Sequence, residues 1–140
     1  MTTILVNIAK VRDRIQQAAH KSSRDVTDIT LMAVSKTQPA SFIAEAHRQG
    51  GLVHFGENYA QEAEAKLAAL QHRPLIWHFI GPLQTNKTRL IAEQFHWLHS
   101  LDRLKIALRL QEQRPTTLPP LNVCVQINID DESSKSGFAL

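Results

Sequence analysis

From Ile4 onward the apolar positions recur as Ile4, Ile8, Val11, Ile15 and Ala18 or Ala19, a spacing of three and four residues that lays one stripe along a helix. A leading amphipathic helix is therefore predicted. A polar break over Lys21–Asp28 separates it from Ile29–Val34, a short, partly β-branched apolar run of the kind that forms a strand buried on both faces. That run ends at Ser35-Lys36-Thr37. Pro39 then suits the first turn of a helix, whose buried side should carry Phe42, Ile43 and Ala46 until Gly50-Gly51 stops it.

The same unit recurs. Leu52–Phe55 reads as a strand closed by Gly56, and Tyr59–Leu70 as a helix rich in Ala and Glu. Leu75–Ile80 reads as a strand, Gly81-Pro82 as its breaker and Asn86–Phe95 as a helix. Trp97–His99 is a weaker strand, after which Asp102 should cap a helix over Arg103–Gln113. A Pro-rich connector, Pro115–Pro120, leads to a fifth strand over Asn122–Ile129. Strand centres near positions 32, 54, 78, 98 and 125 make the chain a β/α repeat with a period a little over twenty residues. Such alternation implies a parallel sheet with covered faces, either doubly wound or part of a (β/α)8 barrel. A complete barrel takes about 250 residues. A chain of 140 residues with five units is thus expected to be a smaller open sheet or a truncated barrel, with the next helix starting near Gly137–Leu140.

Composition narrows the function classes more than the fold. With 43% hydrophobic, 21% charged and 6% aromatic residues, the chain reads as an ordinary globular domain. Its length allows roughly 68% of the unfolded surface to be buried, enough for one core. Sixteen Lys and Arg against thirteen Asp and Glu leave a charge of +3, scattered over positions such as Arg12, Lys66 and Arg109, which is too weak a pattern to predict nucleic-acid binding. The single cysteine, Cys124, excludes an intrachain disulfide and a multi-cysteine metal site, and its mid-strand position predicts a packed, inert thiol. No stretch approaches the ~18 apolar residues of a membrane helix, and Met1–Lys10 lacks the plan of a leader. A soluble protein of a reducing cytoplasm is expected. Neither GxGxxG nor GxxxxGK[ST] occurs, so dinucleotide and P-loop chemistry have no signature.

In either architecture ligands gather at the carboxyl ends of the strands. Lys36 stands there after a mostly apolar run; it either reaches water or serves as an amine that attacks an aldehyde. Asn58 shares parity with Gly56 and His54, and either binds a ligand or caps the helix that begins at Tyr59. His78, set among apolar neighbours, is either a satisfied core residue or a ligand partner. Gly81–Lys87 enters a helix and could hold an anion or form an ordinary turn. Ser133–Gly137, rich in hydroxyls, either covers a ligand or stays solvated. No metal site is expected, since no carboxylate or cysteine stands at metal-ligand spacing.

Four ordered stretches resemble a known family: Leu31-Met32-Ala33-Val34-Ser35-Lys36-Thr37; Phe55-Gly56-Glu57-Asn58-Tyr59 with Gln61-Glu62; Trp77–Gln84 with Asn86-Lys87; and Asn128 with Ser134-Lys135-Ser136-Gly137. They resemble the pyridoxal phosphate homeostasis proteins, the YggS/PROSC family, related to the N-terminal barrel of alanine racemase. The resemblance spans essentially the whole chain. It implies an α/β fold, the N-terminal part of a (β/α)8 barrel, as a single incomplete domain over residues 1–140. It also implies pyridoxal 5'-phosphate held as a Schiff base on Lys36, with Asn58 beside the cofactor ring and His78 and Lys135 near the pocket.

The family's members look like carriers or buffers of the cofactor, without the second β-domain that gives alanine racemases a catalytic tyrosine. The resemblance therefore implies a regulatory protein and no enzyme, with a racemase-like amino-acid enzyme as the alternative. Apo forms of pyridoxal-phosphate enzymes are the implied recipients. Nucleic acid and membrane are not expected as partners, and a monomer is expected at full length. The family's phosphate-binding residues lie in loops after the late strands, as is common near strands seven and eight of such barrels. Those strands are absent here, so the lysine is expected without its phosphate cup.

Overall fold

The computed structural model describes residues 2–139, and its elements follow the repeat read from the apolar pattern. Helix α1 spans Thr3–Lys21 and packs Ile4, Ile8 and Ala19 inward. It is followed by β1 (Met32–Val34), α2 (Ala40–Arg48), β2 (His54–Glu57), α3 (Ala60–Leu70) and β3 (Ile76–Phe79). The chain continues with α4 (Thr88–Gln94), β4 (Trp97–Leu101), α5 (Leu104–Gln113) and β5 (Asn122–Val125). Short 3-10 turns occupy Val26–Asp28 and Thr85–Lys87.

Strand order decides between the two architectures. The sheet runs β1-β2-β3-β4-β5, with every neighbouring pair parallel. Crossovers between parallel neighbours take the right-handed path, so this sequential order puts all the connecting helices on one face. A doubly wound sheet reverses its strand order to place helices on both faces, and this one does not. The arrangement is that of consecutive β/α units in a barrel, with helices outside and the other sheet face turned to a lumen.

Side-chain alternation agrees. Phe55, Glu57, Trp77, Phe79, Leu98 and Ser100 are buried toward the helix layer. There the apolar members join Ile43, Ile91, Phe95 and Ile106 in one core, and Phe79 meets Phe95 edge-on at 5.7 Å. Arg114 closes the end of α4, donating Nη1 to the carbonyls of Ala92 and Phe95, each at 2.8 Å, and Nη2 to that of Pro119 at 2.7 Å. Carbonyls that a helix end leaves without partners are thereby satisfied.

Several expectations fail at the periphery for a common reason: a parallel strand reads as fully apolar whether or not both of its faces are covered. Strand β1 is three residues long and Val34 is 50% exposed, because nothing described covers its lumen side. All four residues of β5 are exposed, Cys124 among them, so this thiol is not packed. Beyond Val125 the chain leaves the ladder, and Ile127 bridges to Phe138 where a longer strand was expected. That bridge also stands where the next helix was expected; Leu140, like Met1, lies outside the described residues.

On α2, Ile43 and Ala46 are buried but Phe42 is exposed. Strand β2 runs through Gly56 and does not close there. Asp102 does not cap α5; its carboxylate pairs with Arg103 Nε at 3.1 Å, and Arg103 is the N-cap residue. The helix expected from Asn86 begins as a 3-10 turn and becomes α-helical at Thr88. Among the described residues no helix is long and apolar enough to cross a membrane.

Candidate functional site

Strand β1 ends at Val34, and the backbone turns at Ser35-Lys36-Thr37, with Thr37 in the left-handed region at φ 63°. Ser35 is buried and points under α3, whereas Lys36 is exposed on the sheet's carboxyl edge. Among the described residues no carboxylate pairs with the Lys36 ammonium. Asn58 follows β2, the strand paired with β1, and is half-buried. It does not cap α3, whose N-cap is Tyr59 without a side-chain bond. Its carbonyl lies so close to Gly81, after β3, that a Cβ there would stand 2.2 Å away. The glycine lets the two strand ends meet.

Around Ser35 lies a cluster of buried charges on the helix side. Glu57, fully buried, accepts from Ser35 Oγ at 2.7 Å and from Lys66 Nζ at 2.8 Å. Lys66 also donates to the Ser35 carbonyl at 2.7 Å and to Glu62 Oε1 at 2.5 Å. Glu62 in turn accepts the Thr37 amide at 2.6 Å. The bond from Lys66 holds the Glu62 carboxyl below its ordinary pKa, with the Thr37 amide adding to the effect.

On the lumen face stands a row of histidines. His78 Nε2 lies 2.9 Å from His54 Nδ1, and His78 Nδ1 lies 2.9 Å from His99 Nε2. The row crosses β2, β3 and β4, and the Trp97 indole stacks on His78 with ring centres 5.6 Å apart. Burial, then the neighbouring histidines His99, His54 and His96, pushes the His78 pKa down to about 4. Burial also lowers that of His99. These rings are bonded in line and do not converge on a point, and no metal-holding group of three occurs among the described residues.

Lys135 sits elsewhere, on the loop after β5, where it is exposed and pairs with Glu132 at 3.0 Å. Asn128 ties that loop together, donating to the Glu132 carbonyl at 2.9 Å and accepting its amide at 3.2 Å. A cavity of about 480 Å³ lies between this loop and the end of β3, lined by Ile80, Asn128, Ser134 and Lys135. A second, of about 330 Å³, takes in Asn58, Phe79, Gln84 and Lys87. Lys36 lines neither. The Gly81–Lys87 segment folds as an ordinary turn, with the Lys87 amide bonded to the Gln84 carbonyl at 3.0 Å.

The structure thus brings Lys36 and Asn58 to adjoining strand ends, sets His78 one strand further into the lumen, and leaves Lys135 at the far edge. Sequence reasoning missed His54 and His99, although the separations of 24 and 21 residues from His78 match the β/α period. It also missed Glu57 and Lys66. The four-residue interval from Glu62 to Lys66 was the available signal for part of that cluster.

A family model described as "Alanine racemase, N-terminal domain" matches residues 6–140. The chain is 61% identical over 139 residues to the "Pyridoxal phosphate homeostasis protein" of Pseudomonas aeruginosa, covering 99% of this chain and 60% of that protein. It is 57% identical over 143 residues to the protein of the same description from Escherichia coli K12, covering 100% and 61%. Among solved structures it resembles PipY of Synechococcus elongatus with PLP bound, with 37% identity, a TM-score of 0.73, and coverage of 89% of this chain and 57% of that one. PipY without PLP matches with 38% identity, a TM-score of 0.74, and coverage of 89% and 58%. The chain spans about three-fifths of the length of the curated relatives it matches.

Proposed function

Since the chain belongs to the alanine racemase N-terminal domain family, we propose that it is part of a single barrel domain that binds pyridoxal 5'-phosphate for cofactor homeostasis, with Lys36 as the attachment point. The reading is supported by the names of relatives at 61% and 57% identity and by a structural neighbour with PLP bound. The cofactor would supply an aldehyde that condenses with a primary amine. Lys36 would hold the group through its amine, as a Schiff base formed with loss of water.

The residues present fit such a group. The observation that carries the reading is the Lys36 amine, exposed at the end of β1 with no carboxylate paired to it among the described residues. Lys66, by contrast, is buried and has three acceptors for its three protons, so it does not compete for the aldehyde. Asn58, on the adjoining strand end, would orient a ring held at Lys36. Burial favours the neutral forms of His78 and His99 on the lumen face, while Lys135 stands at the far edge, on the loop after β5, paired with Glu132.

Storage, buffering or delivery of the cofactor fits better than turnover. Proton transfer at a substrate carbon needs an acid and a base aimed at it. The carboxylates bonded to the residues on either side of Lys36, Glu57 to Ser35 and Glu62 to Thr37, are engaged by Lys66 on the helix side. Apo forms of pyridoxal-phosphate enzymes are the recipients we propose, and a cytoplasmic location and a monomeric full-length protein go with this reading.

Borohydride reduction of the cofactor-loaded full chain, followed by peptide mass spectrometry, tests it. The pyridoxyl label is expected on Lys36, and Lys36→Ala should lose the visible absorbance of the bound cofactor. A label on another lysine, or absorbance retained by Lys36→Ala at equal occupancy, refutes the attachment point. Amino-acid racemisation by the loaded protein would refute the homeostasis reading in favour of an enzyme.

A further inference from the structure

The buried charges behind Ser35 are poorly suited to stabilising the fold. Glu57 is 0% exposed, and its Oε2 has no partner among the described residues. Replacing a buried ion pair by apolar groups of similar volume is often neutral or stabilising, because desolvation offsets the attraction. What the cluster does fix is the backbone on both sides of Lys36. On the preceding residue, the Ser35 carbonyl accepts from Lys66 and the Ser35 hydroxyl donates to Glu57. On the following residue, the Thr37 amide donates to Glu62. Thr37 is β-branched and left-handed at φ 63°, a conformation that persists only where its surroundings over-determine it. Lys66 joins the two anchors, since one ammonium bonds Ser35, Glu57 and Glu62.

We propose that Glu57, Lys66 and Glu62 are positioning residues for Lys36: they clamp Ser35 and Thr37 from the helix side, so that the amine between them is presented in one place on the opposite side. The proposal rests on the reading of Lys36 as the attachment point. None of the three touches the cofactor. They act by reducing the number of places the Lys36 backbone can occupy before the aldehyde arrives, which is preorganisation.

Two variants of the full chain separate clamping from plain stability. In Glu57→Met/Lys66→Met both charges leave together, so no buried charge is stranded, and the thermal midpoint of the apo-protein should stay within about 5 °C of the unmodified one. Its cofactor dissociation constant should nevertheless rise at least about tenfold, since small misplacements of a reacting group are costly. Glu62→Ala removes the acceptor of the Thr37 amide from a partly exposed site. It should speed hydrogen exchange at that amide by about tenfold and weaken cofactor binding, whereas Glu62→Gln, which keeps an acceptor oxygen, should restore both.

With the borohydride label on Lys36, unchanged cofactor affinity in both the double variant and Glu62→Ala overturns the clamp while leaving the attachment point standing. A label on a different lysine in the unmodified protein overturns the attachment point, and the clamp's role with it. The two failures are therefore read from different measurements. A double variant that loses its midpoint by much more than expected shows the cluster to be a structural support, which also overturns the proposal.

Discussion

The neutral histidine at the centre of the lumen row makes stability depend on pH in a calculable way. His78 has a folded pKa of about 4 against 6.5 for an unperturbed imidazole. Between those values the unfolded chain binds a proton that the folded protein refuses, so stability falls as pH falls through this window. With these two pKa values the loss between pH 7 and pH 5 is about 2 kcal/mol. Burial lowers the pKa values of His96 and His99 as well, and both add with the same sign. The lowered carboxyls do not confuse the measurement: Glu62 and Asp25 start from ordinary values of 4.5 and 3.8, so their stabilisation is lost only at more acid pH. His78→Gln is the informative change, because the amide can donate to one neighbouring ring, accept from the other and never titrate. Urea unfolding of the full chain at pH 7 and pH 5 should show a midpoint drop in the unmodified protein larger by about 1 M than in His78→Gln, for slopes of about 1–3 kcal/mol/M. An identical drop in the two proteins would refute the assignment of the acid sensitivity to this ring.

Two further outcomes follow from close contacts. Gly81→Ala puts a Cβ 2.2 Å from the Asn58 carbonyl, and the resulting backbone shift should cost about 1–3 kcal/mol in chemical denaturation and weaken cofactor binding; a variant with unchanged affinity would show that Asn58 is not held by this contact. Arg114→Met leaves the carbonyls of Ala92, Phe95 and Pro119 without their guanidinium donor, and should lower stability by about 2–3 kcal/mol, read as a fall in thermal midpoint.

The β/α repeat was legible because its signal is periodic: apolar runs separated by amphipathic helices survive an error of a few residues at any boundary. Strand order was not legible, since the same runs suit a doubly wound sheet; only the pairing of β1 with β2, and onward in sequence, excluded that fold. Lys36 and Asn58 could be read from their places after strands. Glu57 could not, because a carboxylate beside Asn58 reads as solvent-facing until parity turns it beneath α3, where Lys66 meets it. Phe42 and Cys124 were misread for the opposite reason, as apolar character in the sequence says nothing about whether a neighbouring element arrives to cover it.

The lumen row has one more property. A neutral imidazole carries a single N–H, so each ring that donates through one nitrogen must accept through the other. With His78 bonded on both sides, the two bonds must point the same way around the sheet. When His54 donates toward His78, His99 keeps a free donor at Nδ1 and His54 an open acceptor at Nε2; reversing one bond reverses the other and exchanges these ends. The three rings therefore behave as a single polar rod with two settings, and a group that fixes the tautomer at β2 also dictates what β4 offers on the far side of the lumen.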